Sequence, residues 1–115
     1  MIKFWSYKKE FQKNKKEILL NIKKTMNSGN IFFGNQLIKL EKNFTKKYKS
    51  KYGIAVGSGT DALLISLKAI GVKKGDEVIT VANTAIPTIS AIINSGAKPR
   101  LVDISNDYLM NIKQL

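Results

Sequence analysis

From residue 52 onward the chain alternates strand-like and helix-like runs joined by short loops. That alternation restricts the fold more than any other feature. Tyr52-Gly53-Ile54-Ala55-Val56 reads as a strand. Residues 62–70 read as a helix that is apolar on most sides, which predicts burial. Gly71 ends it, Lys73-Lys74-Gly75-Asp76 makes a turn, and Glu77-Val78-Ile79-Thr80-Val81 reads as a second strand. A helix over residues 85–94 follows, with Pro87 tolerated in a first turn whose N–H groups lack partners anyway. Ser95-Gly96 closes it, residues 98–104 read as a third strand, and residues 106–115 begin a loop and then a helix. The order βαβαβ predicts an α/β fold with a mostly parallel sheet and right-handed crossovers. In such sheets ligands bind outside the C-terminal strand ends. Three segments fall at that edge: Ser58-Gly59-Thr60-Asp61, Ala82-Asn83-Thr84-Ala85, and Asp103.

The first of these segments carries the most chemistry. Val56-Gly57-Ser58-Gly59-Thr60-Asp61-Ala62-Leu63 lies where a strand meets a helix. Its glycines allow a tight turn and a close approach, and Ser58 and Thr60 are both good N-caps. A helix N-terminus offers free N–H groups and a positive dipole end, which suit a phosphate. Gly-Lys-Ser/Thr is missing, so the stretch is not a P-loop, and Ala62 stands where G-x-G-x-x-G needs its third glycine. On spacing alone the stretch fits either an anion cradle or an ordinary strand–helix turn.

The first half of the chain reads differently. Residues 1–7 look like an arm, with Trp5 and Tyr7 as anchors or as simple packing. Residues 8–28 read as a helix with a stripe of Phe11, Ile18, Leu19, Ile22 and Met26, and Ser28-Gly29-Asn30 is its stop signal. Ile31-Phe32-Phe33-Gly34 is a short apolar connection. Residues 35–49 read as a second helix, with Asn35 as N-cap and Leu37, Leu40, Phe44 and Tyr48 on one face. Glu41 beside that face reads as an exposed charge paired with a lysine. The predicted organisation is an arm and helices over residues 1–51 and an α/β domain, incomplete, over 52–115.

Composition excludes several chemistries. No cysteine is present, so there is no disulfide or thiolate, and no histidine, so there is no Ser-His-Asp triad and no ordinary zinc site. No metal site is expected. No apolar run nears the roughly 20 residues that span a bilayer, and the N-terminus lacks a signal-peptide core. A soluble, cytoplasmic protein is expected, with no membrane partner. Net charge is +12 and unevenly placed: residues 1–52 carry 14 Lys against Glu10, Glu17 and Glu41. Of the 20 basic residues only Arg100 is arginine, whereas base readout relies on arginine. The reading is a solvated lysine face without a nucleic-acid partner; a basic nucleic-acid or anion-binding module is the alternative.

Gly57-Ser58-Gly59-Thr60-Asp61-Ala62-Leu63, Gly75-Asp76-Glu77-Val78-Ile79, Ala82-Asn83-Thr84, Gly96-Ala97-Lys98-Pro99 and Val102-Asp103-Ile104 follow one another at close spacing. Together they resemble the start of the DegT/StrS-type sugar aminotransferases, pyridoxal 5′-phosphate enzymes of the aspartate aminotransferase fold (fold type I). Ser28-Gly29, Gly34 and Leu40-Glu41 with Phe44 also match that family's beginning, so the resemblance covers roughly residues 15–112.

The resemblance implies that Ser58, Gly59, Thr60 and Asp61 hold the cofactor phosphate. The position after Asn83-Thr84 usually carries an aromatic that stacks on the pyridine ring. Here it is Ala85, left to line the ring by apolar contact. The family's Schiff-base lysine and the aspartate paired with the pyridine nitrogen fall downstream of residue 115. The expectation is therefore no catalytic residue in this chain, and a chain that is the N-terminal portion of a longer enzyme. The implied reaction moves an amino group, with glutamate as donor, onto a nucleotide-linked keto-sugar for polysaccharide or glycoside biosynthesis. The implied full-length assembly is a homodimer. A non-catalytic relative of the same fold is the other alternative.

Overall fold

The computed structural model describes residues 6–115. Of the expected arm, residues 1–5, Trp5 included, lie outside the described residues, and Tyr7 already begins the first helix. The chain divides into two compact units between Ala55 and Val56.

The first unit holds α1 (Tyr7–Asn27) and α2 (Asn35–Tyr48). The predicted stop signal works as read. The Ser28 N–H donates to the carbonyls of Lys24 and Thr25, the Gly29 N–H donates to Met26, and Gly29 takes φ +69°. α2 starts differently. Gly34, not Asn35, is its N-cap, without a side-chain cap. The backbone crosses itself tightly there, since a Cβ on Gly34 would collide with the Asn30 carbonyl oxygen. The Gly34 carbonyl then accepts from Leu37 at 3.0 Å. Along α2, the rings of Phe44 and Tyr48 lie 4.5 Å apart, one turn from each other. The helix ends on Lys49 in the left-handed region, with the Ser50 N–H donating to Thr45.

Among the described residues no lysine pairs with Glu41. Its Oε1 accepts the Ala55 N–H at 2.9 Å. Gly53 lies against the same stretch of α2, where a Cβ would sit 3.0 Å from Thr45 Cγ2 and 3.2 Å from the Glu41 carbonyl oxygen. The main departure from the predicted βαβαβ order falls in this stretch. Residues 52–56 form neither helix nor strand, and no strand among the described residues pairs with them. A strand is made by its partner, and the two strands among the described residues pair with each other.

The second unit holds α3 (Gly59–Ala69), β1 (Glu77–Val81), α4 (Ile86–Ser95), β2 (Lys98–Val102) and a short 3₁₀ turn, Ile112–Gln114. β1 and β2 pair in parallel, in register from Glu77↔Lys98 to Val81↔Val102. β2 stops before the predicted residues 103–104; Ile104 instead bridges Met110 in the antiparallel sense. The helix expected near the end is only the 3₁₀ turn, capped by Asn111, whose Oδ1 accepts from Lys113.

The core of this unit is Ala91, Ile92 and Ala97, with Ser95 and Thr80 buried beside them. Ser95 avoids an unsatisfied hydroxyl by donating to the Ile92 carbonyl at 2.6 Å. α3 was expected to be largely buried, but none of its residues is. It packs on α4, and one helical neighbour covers one face, leaving Ile65 half exposed at 52%.

Topology sets where the helix ends point. α4 returns the chain from the end of β1 to the start of β2, so it runs against the strands. Its C-terminus meets the α3–β1 loop, since a Cβ on Gly96 would lie 3.2 Å from the Lys74 nitrogen. α3 runs into that same loop. Two packed helices of similar length with their C-termini at one edge have their N-termini at the other, which is the C-terminal edge of the strands.

Two predictions follow from local geometry. Gly34→Ala must move backbone, whereas Gly29→Ala meets no neighbour and suffers only its left-handed φ. Thermal melts followed by circular dichroism should show about 1–2 kcal/mol lost for Gly29→Ala and about 2–3 for Gly34→Ala. The second concerns the ion pair of Arg100 Nη2 with Glu77 Oε1, 2.7 Å long and exposed. The guanidinium's hydrogen bond holds the Glu77 carboxyl below its usual range, and Glu77 raises Arg100 in return. A depressed carboxylate stabilises the fold above its unfolded pKa, and that contribution is lost as pH falls through the folded value. Glu77→Gln should therefore melt slightly lower than the parent at neutral pH, with the gap closing as pH falls through the lowered carboxylate pKa; the effect is small because water screens the pair.

Candidate functional site

Ser58 is the N-cap of α3, which begins three positions earlier than the predicted residue 62 and takes Gly59, Thr60 and Asp61 into its first turn. The Ser58 hydroxyl is used twice. It accepts the Asp61 N–H at 3.1 Å and donates to Asp61 Oδ2 at 2.8 Å. The first bond is one half of a capping box; the third-position carboxylate closes the pair on the cap's hydroxyl and not on its backbone N–H. Gly57 fits beneath it, since a Cβ there would sit 3.1 Å from Asp61 Oδ2. The Ala62 N–H then makes the first helical bond, to the Ser58 carbonyl, at 3.0 Å.

The cap satisfies Asp61. Among the described residues no acceptor meets the N–H of Gly59 or Thr60, and the Thr60 hydroxyl has no partner. Gly59 is exposed, and a Cβ on it would meet nothing within 4 Å. Two backbone donors, one hydroxyl and an open space stand together at the positive end of a helix, an arrangement able to accept an anion. The Ser58 side chain is a structural cap and not a free donor. Asp61 helps the helix dipole but opposes an anion nearby, and the hydroxyl hydrogen of Ser58 offsets part of that charge.

Ala85 is the N-cap of α4, exposed and without a side-chain cap bond. Thr84 just before it shares a 2.8 Å hydrogen bond with Thr88, and the Thr84 N–H donates to the Ala82 carbonyl at 2.9 Å. Asp103 follows β2, with its Oδ1 accepting the Ile104 N–H and its own N–H donating to Gln114 Oε1. Ser58 and Asp61 are thus joined by hydrogen bonds, with Gly59 and Thr60 between them in the same helical turn. Ala85 and Asp103 share the sheet edge with it, but no hydrogen bond ties either to it among the described residues. The Thr84–Thr88 pair was missed, although threonines four apart at a helix start are a legible signal. Among the described residues no group of acidic side chains could hold a metal ion, and no helix is long and apolar enough to cross a membrane.

The family model of the DegT/DnrJ/EryC1/StrS aminotransferases matches residues 12–115. A dTDP-3-amino-3,4,6-trideoxy-alpha-D-glucose transaminase of Micromonospora megalomicea subsp. nigra is 36% identical over 108 residues, which is 93% of this chain and 29% of that protein. A pleiotropic regulatory protein of Geobacillus stearothermophilus is 40% identical over 95 residues, 83% of this chain and 26% of its own. The solved DegT DnrJ EryC1 StrS aminotransferase from Brucella abortus superposes with a TM-score of 0.91 at 25% identity, over 99% of this chain and 31% of that one. The pyridoxal-phosphate form of a sugar aminotransferase from Streptococcus pneumoniae gives 0.76 at 32% identity, over 81% and 24%. The chain thus spans less than a third of each of these relatives.

The cradle separates fold from binding at one position. Gly59→Ala should keep or slightly raise stability, by up to about 1 kcal/mol, because alanine is the better helix residue. The same methyl should intrude on the anion, as should loss of the hydroxyl in Thr60→Val. Each is expected to weaken inorganic phosphate at the Gly59 and Thr60 amides about fivefold to tenfold in an NMR titration.

Proposed function

The chain belongs to the DegT/DnrJ/EryC1/StrS aminotransferase family, and from that premise we propose that it supplies the cofactor-phosphate cradle of a pyridoxal 5′-phosphate-dependent sugar aminotransferase. The observation that carries this reading is the unpartnered pair of N–H groups at Gly59 and Thr60, at the N-terminus of α3 and inside the matched residues. The residues present fit a phosphate ester. Its oxygens would accept from those two N–H groups and from the Thr60 hydroxyl, in the space that Gly59 leaves open. Asp61 holds Ser58 as the cap and so keeps the first turn of α3 formed while the anion binds. Ala85, at the start of the neighbouring helix on the same edge, would give the ring a small apolar contact where the family usually places an aromatic.

When bound, pyridoxal phosphate supplies the electron sink that moves an amino group between donor and acceptor. In this reading residues 1–51 form the arm and first helices, and residues 52–115 begin the cofactor domain. The reactive end of the cofactor is served by a lysine and an aspartate beyond this segment. The substrate is a nucleotide-linked keto-sugar, the amino donor is glutamate, and the working assembly is a cytoplasmic homodimer. The sugar transaminase from Micromonospora supports the sugar substrate class, and the pyridoxal-phosphate form from Streptococcus pneumoniae supports the cofactor.

The regulatory protein of Geobacillus favours a second reading, a non-catalytic relative of the same fold. One experiment separates the two. The full-length protein carrying this chain, reconstituted with pyridoxal 5′-phosphate, is expected to show a visible absorption band that glutamate bleaches. With glutamate it should then aminate a nucleotide-linked keto-sugar, detected by mass spectrometry. A band without amination supports the non-catalytic relative, and absence of both rejects the cofactor assignment.

A further inference from the structure

We propose that the elbow between α1 and α2 binds a nucleoside diphosphate, its base against Phe32 and Phe33 and its phosphates between Lys24 and Lys39. Its role rests on the reading above, whose substrate carries a nucleotide; the observations for it lie in the first unit alone. Two clefts adjoin at the elbow and share Thr25, Asn30 and Gln36 as a common wall. One, of about 230 Å³, is completed by Ile31, Phe32, Phe33 and Leu37. The other, of about 160 Å³, is completed by Lys24, Ser28, Asn35 and Lys39. An aromatic, apolar chamber thus opens beside a basic, hydrogen-bonding one.

Phe33 is the residue that the fold does not explain. Its φ is +51°, in the left-handed region where a bulky side chain is strained and glycine is at ease. Such strain persists where the surroundings hold it and packing offsets it, but Phe33 is 88% exposed and Phe32 85%. The tight loop from Asn30 to Gly34 therefore presents two rings at the mouth of a cleft while burying neither. A nucleobase stacks on such a surface whatever its substituents. In the neighbouring chamber, among the described residues, Lys24 and Lys39 form no ion pair, and the side-chain amides of Asn30, Asn35 and Gln36 make no hydrogen bond. No acidic side chain lines either cleft. Unpaired ammonium groups favour an anion, and side-chain amides can both donate to and accept from a base edge. A flat ring, polar edges and an anionic tail in one molecule describe a nucleotide. A purely apolar ligand leaves the basic chamber unused, and an inorganic anion leaves the aromatic one.

Uridine 5′-diphosphate titrated into the full chain is expected to shift the amides of residues 31–37 by NMR, with uridine and inorganic pyrophosphate each at least about tenfold weaker. Phe32→Ala should weaken the nucleotide at least about fivefold. Phe33→Gly relieves the left-handed backbone while removing a ring, so it should melt no lower than the parent yet bind at least about fivefold more weakly. Lys39→Gln should weaken binding about threefold at low salt, a loss that shrinks as added salt screens the charge. Pyrophosphate binding as tightly as the nucleotide overturns the site, and so do both aromatic variants binding like the parent. If Phe33→Gly does not fold, Phe32→Ala alone decides. Shifts at Gly59 and Thr60 with none at residues 31–37 overturn this site and leave the cradle standing; shifts at residues 31–37 alone support this site without the cradle. Shifts at Phe32 and Phe33 that grow with protein concentration, and that nucleotide does not reverse, mean that a second copy covers the elbow, which also overturns the proposal.

Discussion

Two parallel strands cannot be joined by a tight turn, and much of the second unit follows from that restriction. β1 and β2 run the same way over five paired residues, so the chain must travel back about 17 Å between them. α4 makes the return, and its ten residues rise about 15 Å, a close match. Because the crossover fills that distance with little slack, its ends are tight. Ser95 is buried and bonded within its own helix, and Gly96 turns the chain in the left-handed region against the Lys73-Lys74 loop. The same return places the start of α4, and that of the helix packed on it, at the C-terminal edge of the strands. The proposed cradle owes its position to parallel pairing and its chemistry to one helix cap.

Elements governed by local chemistry were legible in the sequence. The stop at Ser28-Gly29, the turn ending in Asp76 and β1 itself rest on interactions within a few residues, and each lies where its residues indicate. The Ser58 cap was legible too, although α3 begins earlier than its apolar residues suggest. Periodicity marks where a helix becomes apolar, while capping marks where it starts. What the sequence hid depended on distant partners. Residues 52–56 have the composition of a strand, but a strand exists only with a neighbour, and none among the described residues pairs with them. Glu41 looked like any helix surface charge, because nothing within four residues of it signals a bond to Ala55. The apolar faces of α3 indicate what it can bury, not what covers it.

Charge distribution bears on how the cradle selects an anion. Most of the +12 net charge comes from residues 1–52, while residues 53–115 carry six basic and five acidic side chains. Screening at physiological salt reaches about 8 Å, so a diffuse excess of lysine raises the local anion concentration without choosing a position. Selection at the proposed cradle would rest on short, directed donors, with the Asp61 carboxylate opposing any anion that the N–H groups of Gly59 and Thr60 do not compensate.

Glycine usage gives an independent line of support for the cradle. The chain has eight glycines, and seven have a local reason to be glycine: a positive φ, or a neighbour that an added Cβ would crowd. Gly59 has neither. Its backbone is ordinary, the space beside it is open, and it sits in a helix where alanine would be favoured by up to about 1 kcal/mol. Its own fold gives no reason for a residue that weakens a helix and relieves no clash. A ligand would supply one, because the missing side chain lies beside two backbone donors that still lack an acceptor. Every other glycine relieves a strain or a clash in the chain itself, and Gly59 relieves one only if something binds beside it.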